Sequence, residues 1–443
     1  MIKEKLKVIA KSNPISICLL LFIFHFSFLT CQMPESSVRS PSYNPELIGW
    51  RPASMTPFSV NDTINDFAYG KIGGNDCYVA VSSSGTIAWS DDGDIWQRAG
   101  RMVECERTIG FDKCGEIIYV GLHDTSYTCS FPDEDGNPVS VILTPAGPIN
   151  TVTFGNGIFV AAGNRGFIAV SENGKSWKIE QKTLLGGNDG VMRGIAFGDG
   201  VFIAVGSSNN KGLICYSHDS VNWMPGASFS VEYSKLNDIA FDSVNNTFYA
   251  VGNYGYWGTI PSGSLGTFTS PIGSIFGTSG VPEMRKVVIG NNGSAVIGMI
   301  MDRNIGNDRW FRRPVVLHTL EASAGWNRTC GDPDCQEEYC QSRVLWKPEL
   351  FKNPRGDGNI NINDIACGGG YFVAVADAAV VGYVSGSPAY GFSGHKNALV
   401  GGGDRFWNAL ALTEFLETDI MTVEALNGRF FIGNNTGKIG YSK

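Results

Sequence analysis

The chain has 443 residues, 43% of them hydrophobic, with 34 basic against 42 acidic side chains. That apolar fraction excludes a globally disordered chain, and the acidic balance argues against nucleic acid as a partner. Glycine is abundant at 56 residues, and no segment after the first forty reads as an amphipathic helix. The expectation is an all-β protein whose turns are supplied by Gly, Asn and Asp.

Residues 1–30 read as a targeting segment. Lys3, Lys5, Lys7 and Lys11 precede an uncharged apolar run over residues 15–29, too short for a comfortable membrane span. The run ends in Phe28-Leu29-Thr30-Cys31, which resembles the lipobox of bacterial lipoproteins. The resemblance implies acylation of Cys31, which becomes the new N-terminus. Thr30 stands where Gly or Ala is usual, a looseness that spirochaetal lipoproteins tolerate. A plain secretory signal cleaved nearby is the alternative. Residues 31–46 are rich in Ser and Pro and read as a flexible tether, and residues 47–443 as one folded domain. Removal of residues 1–30 leaves 30 basic against 41 acidic side chains. No later apolar stretch approaches spanning length, so a lipid anchor is the only membrane contact expected. The location expected is the bacterial outer membrane or cell surface, with a periplasm-facing or secreted protein as the alternatives.

The folded part repeats. Residues 149–177 run strand, Gly turn, strand, Gly turn, strand, tight turn, then a Trp that opens a fourth strand. The same order recurs over 64–96 and 192–223. Further copies start near 236, 362 and 421, and degenerate ones near Arg107 and Arg285. The early spacing of 42 to 44 residues is that of propeller blades. The fold expected is a β-propeller of four-stranded blades, eight in number or alternatively seven. The last copy stops after its third strand, and Ile48-Gly49-Trp50-Arg51 supplies a matching fourth strand from the other end of the domain.

The turns before Trp share a pattern: Ser90, Asp92 and Trp96; Ser171, Asn173 and Trp177; Ser217, Asp219 and Trp223. They resemble the Asp-box of sialidase-like (BNR-type) propellers, one residue shorter than usual. The resemblance implies a structural role: the Asp or Asn accepts backbone N–H bonds, and the Trp packs between neighbouring blades. Sialidase activity needs an arginine triad, a Tyr–Glu pair and an acid/base Asp. The nearest string to the family's Arg-Ile-Pro motif is Phe311-Arg312-Arg313-Pro314, with Arg where Ile belongs. No catalytic residue is assigned.

One column just ahead of each inner strand's apolar core reads Asn65, Arg107, Asn150, Arg193, Asn237, Arg285, Asn363 and Thr422. The next reads Asp66, Thr108, Thr151, Gly194, Asp238, Lys286, Asp364 and Val423. These residues should gather at one mouth of the channel. Three Arg on alternate blades suit a carboxylate or other anion. The alternative is that the Arg neutralise Asp66, Asp238 and Asp364 while the Asn cap strand ends.

Other signals are weaker. Arg355-Gly356-Asp357 matches an integrin-recognised tripeptide, and its loop is half a calcium loop with Arg355 at a ligand position. Cys330, Cys335 and Cys340 suit disulfides in an exported loop better than zinc. Cys105 and Cys114 bracket a strand and are candidates to pair. No cofactor or metal is expected, and the chain is expected to be a monomer. The extra residues over 284–361 and 385–420 are where specificity should reside.

The function expected is a lipid-anchored binding module for a protein or glycan ligand, with host matrix or plasma proteins as one class. A periplasmic assembly role and a sialidase-like glycan hydrolase are the alternatives. Convergent carboxylates with shifted pKa values in a deep pocket favour catalysis, and an exposed aromatic or apolar patch favours binding.

Overall fold

The computed structural model describes residues 49–105, 114–118, 127–132, 138–143, 147–181, 183–226, 235–253, 257–267, 280–289, 295–304, 310–318, 362–369, 371–377, 380–385, 408–412 and 418–442. Cys31, Arg107, Cys330, Cys335, Cys340 and the Arg355-Gly356-Asp357 loop lie outside these residues. Tyr43–Lys443 form one compact unit. Among the described residues its elements are strands, apart from two single-turn 3-10 helices at Thr183–Leu185 and Gly187–Asp189.

The strands form antiparallel meanders. The first sheet runs Ile64–Ile72, Asn75–Ser82, Ile87–Ser90 and Gln97–Arg98; the third runs Val191–Gly198, Val201–Ser208, Lys211–Ser217 and Met224–Pro225. The second is built on Ile149–Gly155, the fourth on Leu236–Asp242, the fifth on Gly280–Ile289, the sixth on Ile362–Gly368 and the seventh on Ile420–Leu426. In the seventh, Trp50–Pro52 supplies the fourth strand, with Trp50 opposite Ser442 and Pro52 opposite Gly440. Each of the seven leading strands packs against the leading strand of the next sheet, and that of the seventh packs against that of the first.

The inner strand expected at Arg107 lies outside the described residues, and the strands described on either side of it join the second sheet. Gly100–Cys105 pairs in parallel with Ser176–Gln181 and antiparallel with Cys114–Ile118, so both strands extend the second sheet outward. Tyr127–Pro132 and Pro138–Leu143 form a separate two-stranded ribbon. The leading strand Ile149–Gly155 then packs directly on Ile64–Ile72. An apolar run between turns predicts a hairpin, and hairpins form here. Spacing alone does not say whether a hairpin heads its own sheet or extends the edge of another.

All seven leading strands carry a β-bulge at one register position, which skips Asn65, Asn150, Arg193, Asn237, Arg285, Asn363 and Met421. A bulge re-aims the skipped side chain out of the pleat. This corrects the last member of the column: Met421 is the bulged residue, and Thr422 belongs beside Asp364 in the next column.

The core lies between sheets. Val79 and Val81 of the first sheet meet Phe159 and Trp177 of the second, and Val160 and Ala162 of the second meet Phe202 and Trp223 of the third. Small residues set the spacing. A Cβ on Gly155 or Gly198 would run into the Phe197 or Phe241 ring of the next sheet. Each such ring therefore lies flat on a glycine of its neighbour, where any side chain would force the sheets apart.

Candidate functional site

The bulged column stitches neighbouring strands together. Asn65 Nδ2 donates to the Ile149 carbonyl at 2.7 Å, Asn150 Nδ2 to Met192 at 2.7 Å, Asn237 Nδ2 to Met284 at 2.8 Å and Asn363 Nδ2 to Ile420 at 2.9 Å. Each acceptor lies just ahead of the bulge on the following leading strand. The arginines of this column are engaged elsewhere. Arg193 donates to Ser207 Oγ at 2.7 Å within its own sheet. Burial lowers its guanidinium below the ordinary value, with Glu283 opposing. Arg285 donates to Asn363 Oδ1 at 3.1 Å, and its Nε lies 3.7 Å from Glu283.

The next column repeats the stitch with acceptors. Asp66 Oδ2 takes the Val152 N–H at 2.9 Å, Thr151 Oγ1 the Ile195 N–H at 3.1 Å, Asp238 Oδ2 the Val287 N–H at 2.9 Å, and Asp364 Oδ2 the Val423 N–H at 2.9 Å. Asp364 also accepts from Thr422 Oγ1 at 2.8 Å and from the Ile365 N–H at 2.7 Å. Where the column holds Gly194, the backbone of Asp238 is so close that a Cβ would meet it at 2.8 Å.

Lys286 takes the fifth place in this column. Its Nζ lies 3.8 Å from Asp364 Oδ1 and 4.0 Å from Asp238 Oδ1. The cation among these aspartates is thus Lys286, and the arginines one position earlier pair with Ser207, Asn363 and Glu283. A fourth carboxylate, Glu424, joins from the seventh sheet. It occupies a position held elsewhere by Ala68, Thr153, Ala196, Ala240, Val288 and Ala366. The column reading passed over it. Its signal was a lone charge in a file of small residues, visible once the bulge of the last strand is set at Met421.

These side chains line a cavity of about 540 Å³. Asp66, Asp238, Lys286, Asp364 and Glu424 line it together with Tyr69, Phe154, Phe197, Phe241 and Leu426. None of Asn65, Asn150, Arg193, Asn237, Arg285 and Asn363 lines it. The electrostatics are crowded. Burial raises Asp66 and Asp364 above the ordinary carboxyl value, against the pull of Lys286 and the backbone donors. It pushes Asp238 up to about 7. Glu424 is held well above its ordinary value by burial and then by the charges of Asp66 and Asp364. Burial on its own would lower the Lys286 ammonium, but Asp238, Asp364 and Asp66 outweigh it and hold it well above its ordinary value. Convergent carboxylates with raised pKa values are one mark of catalysis. Here the aspartates are already used as acceptors by the next strand, which leaves Glu424 as the carboxyl with no such stitch among the described residues. No group of three His, Cys, Asp or Glu among the described residues is arranged to hold a metal ion.

The Trp turns are built alike. Gly93 N–H donates to Ser90 Oγ at 2.9 Å, and the N–H groups of Asp94 and Ile95 donate to Asp92 Oδ1 at 2.8 and 2.9 Å. Ser171 and Asn173 repeat this scaffold, and in the third turn Asp219 Oδ1 accepts from the N–H groups of Val221 and Asn222 and from the Ser217 hydroxyl. Trp96, Trp177 and Trp223 donate their indole N–H to the carbonyls of Gly93, Gly174 and Ser220 at 2.9 to 3.1 Å. Those three residues have φ of 78°, 70° and 64°, so the turn needs a residue tolerant of the left-handed region. Each Trp is buried against the preceding sheet; Trp96 meets Phe431 of the seventh.

No protein-family model matches the sequence, and no curated protein matches it. Solved structures that it resembles are β-propellers. YCF48 from Cyanidioschyzon merolae aligns with a TM-score of 0.50 and 11% identity, covering 89% of this chain and 98% of that one. A structure of YCF48 bound to D1 peptide aligns with a TM-score of 0.49 and 14% identity, covering 90% and 96%. The WD40 β-propeller domain of Doa1 gives 0.49 and 12%, covering 89% and 97%. At such identity the likeness concerns the fold alone, and the fold is a propeller.

Proposed function

We propose that the chain is an exported, lipid-anchored β-propeller that acts as a non-catalytic binding module and takes its ligand into the central cavity. The observation that carries this is the cavity itself, lined by aromatic and aliphatic side chains together with four carboxyl groups and one lysine. Apolar walls with a few convergent polar groups are the usual make-up of a ligand site. A basic end group, such as a Lys or Arg side chain of a protein partner, would draw these raised carboxyls into their charged form and pair with them, which selects a cationic ligand. Seven blades suit the seven bulged leading strands better than eight. The pairing of Trp50–Pro52 with Ile439–Ser442 supports closure of the last blade by the N-terminal strand. The Ser–Asp/Asn–Trp turns support kinship with Asp-box propellers. Of the arginine column, Arg193 and Arg285 are retained as a secondary anion contact outside the cavity.

For the ligand we favour proteins met at the cell surface, host matrix and plasma proteins among them, over a periplasmic assembly partner. Calorimetric titration of the full chain with cationic, neutral and anionic peptide pools tests the cavity. The expected result is binding of the cationic pool, weakened at least tenfold by Glu424→Gln. Equal binding of all pools, or none, overturns it. Protease shaving of intact cells, with Cys31→Ala alongside, tests anchoring and the face presented.

A second reading is a glycan hydrolase with Glu424 as the proton donor, favoured by the raised carboxyls of Glu424 and Asp238 in one cavity. Turnover of aryl glycosides that Glu424→Gln abolishes would replace the binding reading with this one.

A further inference from the structure

The cysteines divide into two groups. Cys77, Cys215 and Cys367 are free and sit in separate sheets. Cys77 and Cys215 point their sulfurs at the carbonyls of Asn173 and Leu184, and burial pushes the three thiols up to about 11, 12 and 11. Thiols held so far from ionisation are poor nucleophiles. The second group begins with Cys105 and Cys114. Cys105 ends Gly100–Cys105, Cys114 begins Cys114–Ile118, and the two are direct partners in the antiparallel register.

Direct partners in an antiparallel pair have Cα atoms about 4.5 or about 5.5 Å apart, according to whether the pair is hydrogen-bonded. Both values lie within the roughly 4.4–6.8 Å span that a disulfide bridges. Five consecutive pairs, from Arg101 opposite Ile118 to Cys105 opposite Cys114, hold the register without a slip. A slip of one residue would put the two side chains on opposite faces.

We propose that Cys105 and Cys114 form a cross-strand disulfide that staples the strand pair added to the edge of the second sheet. Among the described residues, that pair joins the sheet through the parallel pairing of Gly100–Cys105 with Ser176–Gln181. A covalent link at its end fixes the register that the added edge requires. The oxidant is a disulfide of the glutathione class or a thiol–disulfide oxidoreductase. One Cys thiolate attacks that disulfide, releases one thiol and leaves a mixed disulfide. The other Cys thiolate then attacks the protein-side sulfur and releases the second thiol. Two protein thiols are oxidised and one small disulfide is reduced. The inference rests on the register and is independent of the ligand and of the lipid anchor.

The test uses the full chain, reduced and then equilibrated with oxidised glutathione, alkylated without reduction and digested with trypsin and a Glu-specific protease. Cleavage after Arg107 and Lys113 separates the two cysteines, and cleavage after Glu116 separates Cys114 from Cys129. The expected product is a Cys105–Cys114 linked peptide, about 2 mass units lighter than its two thiol parts, lost on reduction and absent from Cys114→Ser. A buffer series of reduced to oxidised glutathione should give one two-electron transition for this pair, with Cys77, Cys215 and Cys367 alkylated only after denaturation. Free thiols at 105 and 114 across the whole series, or a bridge from Cys105 to Cys129, would overturn the proposal.

Discussion

Aspartates do the same local task in two regions of this molecule and end in opposite electrostatic states. In the Trp turns, Asp92 and Asp219 accept backbone N–H bonds at the solvent edge. Burial opposes ionisation of Asp92, but the donors of Ile95 and Asp94 outweigh it and hold it below its ordinary value. Asp219 is held lower still by the backbone and side chain of Asn222. On the leading strands, Asp66, Asp238 and Asp364 accept the same kind of bond, yet all three are raised. The difference is company and solvent. The turn aspartates are exposed, whereas the inner ones are buried together beside Glu424 and the Lys286 ammonium. Hydrogen bonds to a carboxylate favour its charge, and they lose when desolvation and like charges act together.

The comparison can be broken in order of expected effect. Trp177→Ala removes a buried indole from between two sheets and should destabilise the fold by about 3–5 kcal/mol in urea unfolding. If it costs less than about 1 kcal/mol, the turns are decoration and not the clamps described. Lys286→Met removes the cation from the cavity and leaves buried carboxylates unpaired, for a loss of about 3 kcal/mol at neutral pH. The loss should shrink as the pH is lowered toward 4, since protonated carboxyls need no partner. A loss equal at both pH values would place the ion pairs outside the energetics.

Asp238→Asn is a finer probe, since the amide keeps an oxygen for the Val287 N–H. The folded carboxyl titrates near 7 and the unfolded one near 3.8, so the folded state holds more protons between those values. Stability contributed by this group is full below the unfolded value and falls as pH rises through the window. The variant should therefore flatten the wild-type decline between about pH 4 and 7, read from urea midpoints. The smallest effect is Asp219→Asn. Its folded pKa is depressed, so its contribution is present above the unfolded value and is lost as pH falls. Only the acid limb of the stability profile should change, and a change near pH 7 would contradict the assignment.

Much of the fold was legible in the residues. The order of strand, Gly turn, strand and Trp turn in 149–177 is a local statement, and the turn chemistry follows from Ser171, Asn173 and Gly174 without any distant contact. The fourth strand at Trp50 was legible for the same reason, as an orphaned edge with a matching partner. The place of Gly100–Cys105 was not. Hairpins look alike whether they head a sheet or extend one, and the decision lies in the parallel pairing with Ser176–Gln181. The site was half legible: the Asp column was found and its counter-ion misassigned, because Arg193 and Arg285 bear the same charge as Lys286 one position away.

The sequence by itself determined the class of structure and the chemistry of each turn, since both depend on period, Gly and short polar side chains acting within a few residues. It took the tertiary structure to show that Met421 and not Thr422 is the bulged residue, and that Glu424 lies with three aspartates and Lys286 in one cavity. Those outcomes depend on which strands lie side by side. A bulge turns a one-residue register choice into a change of face, and burial in common turns separate charges into a single coupled group.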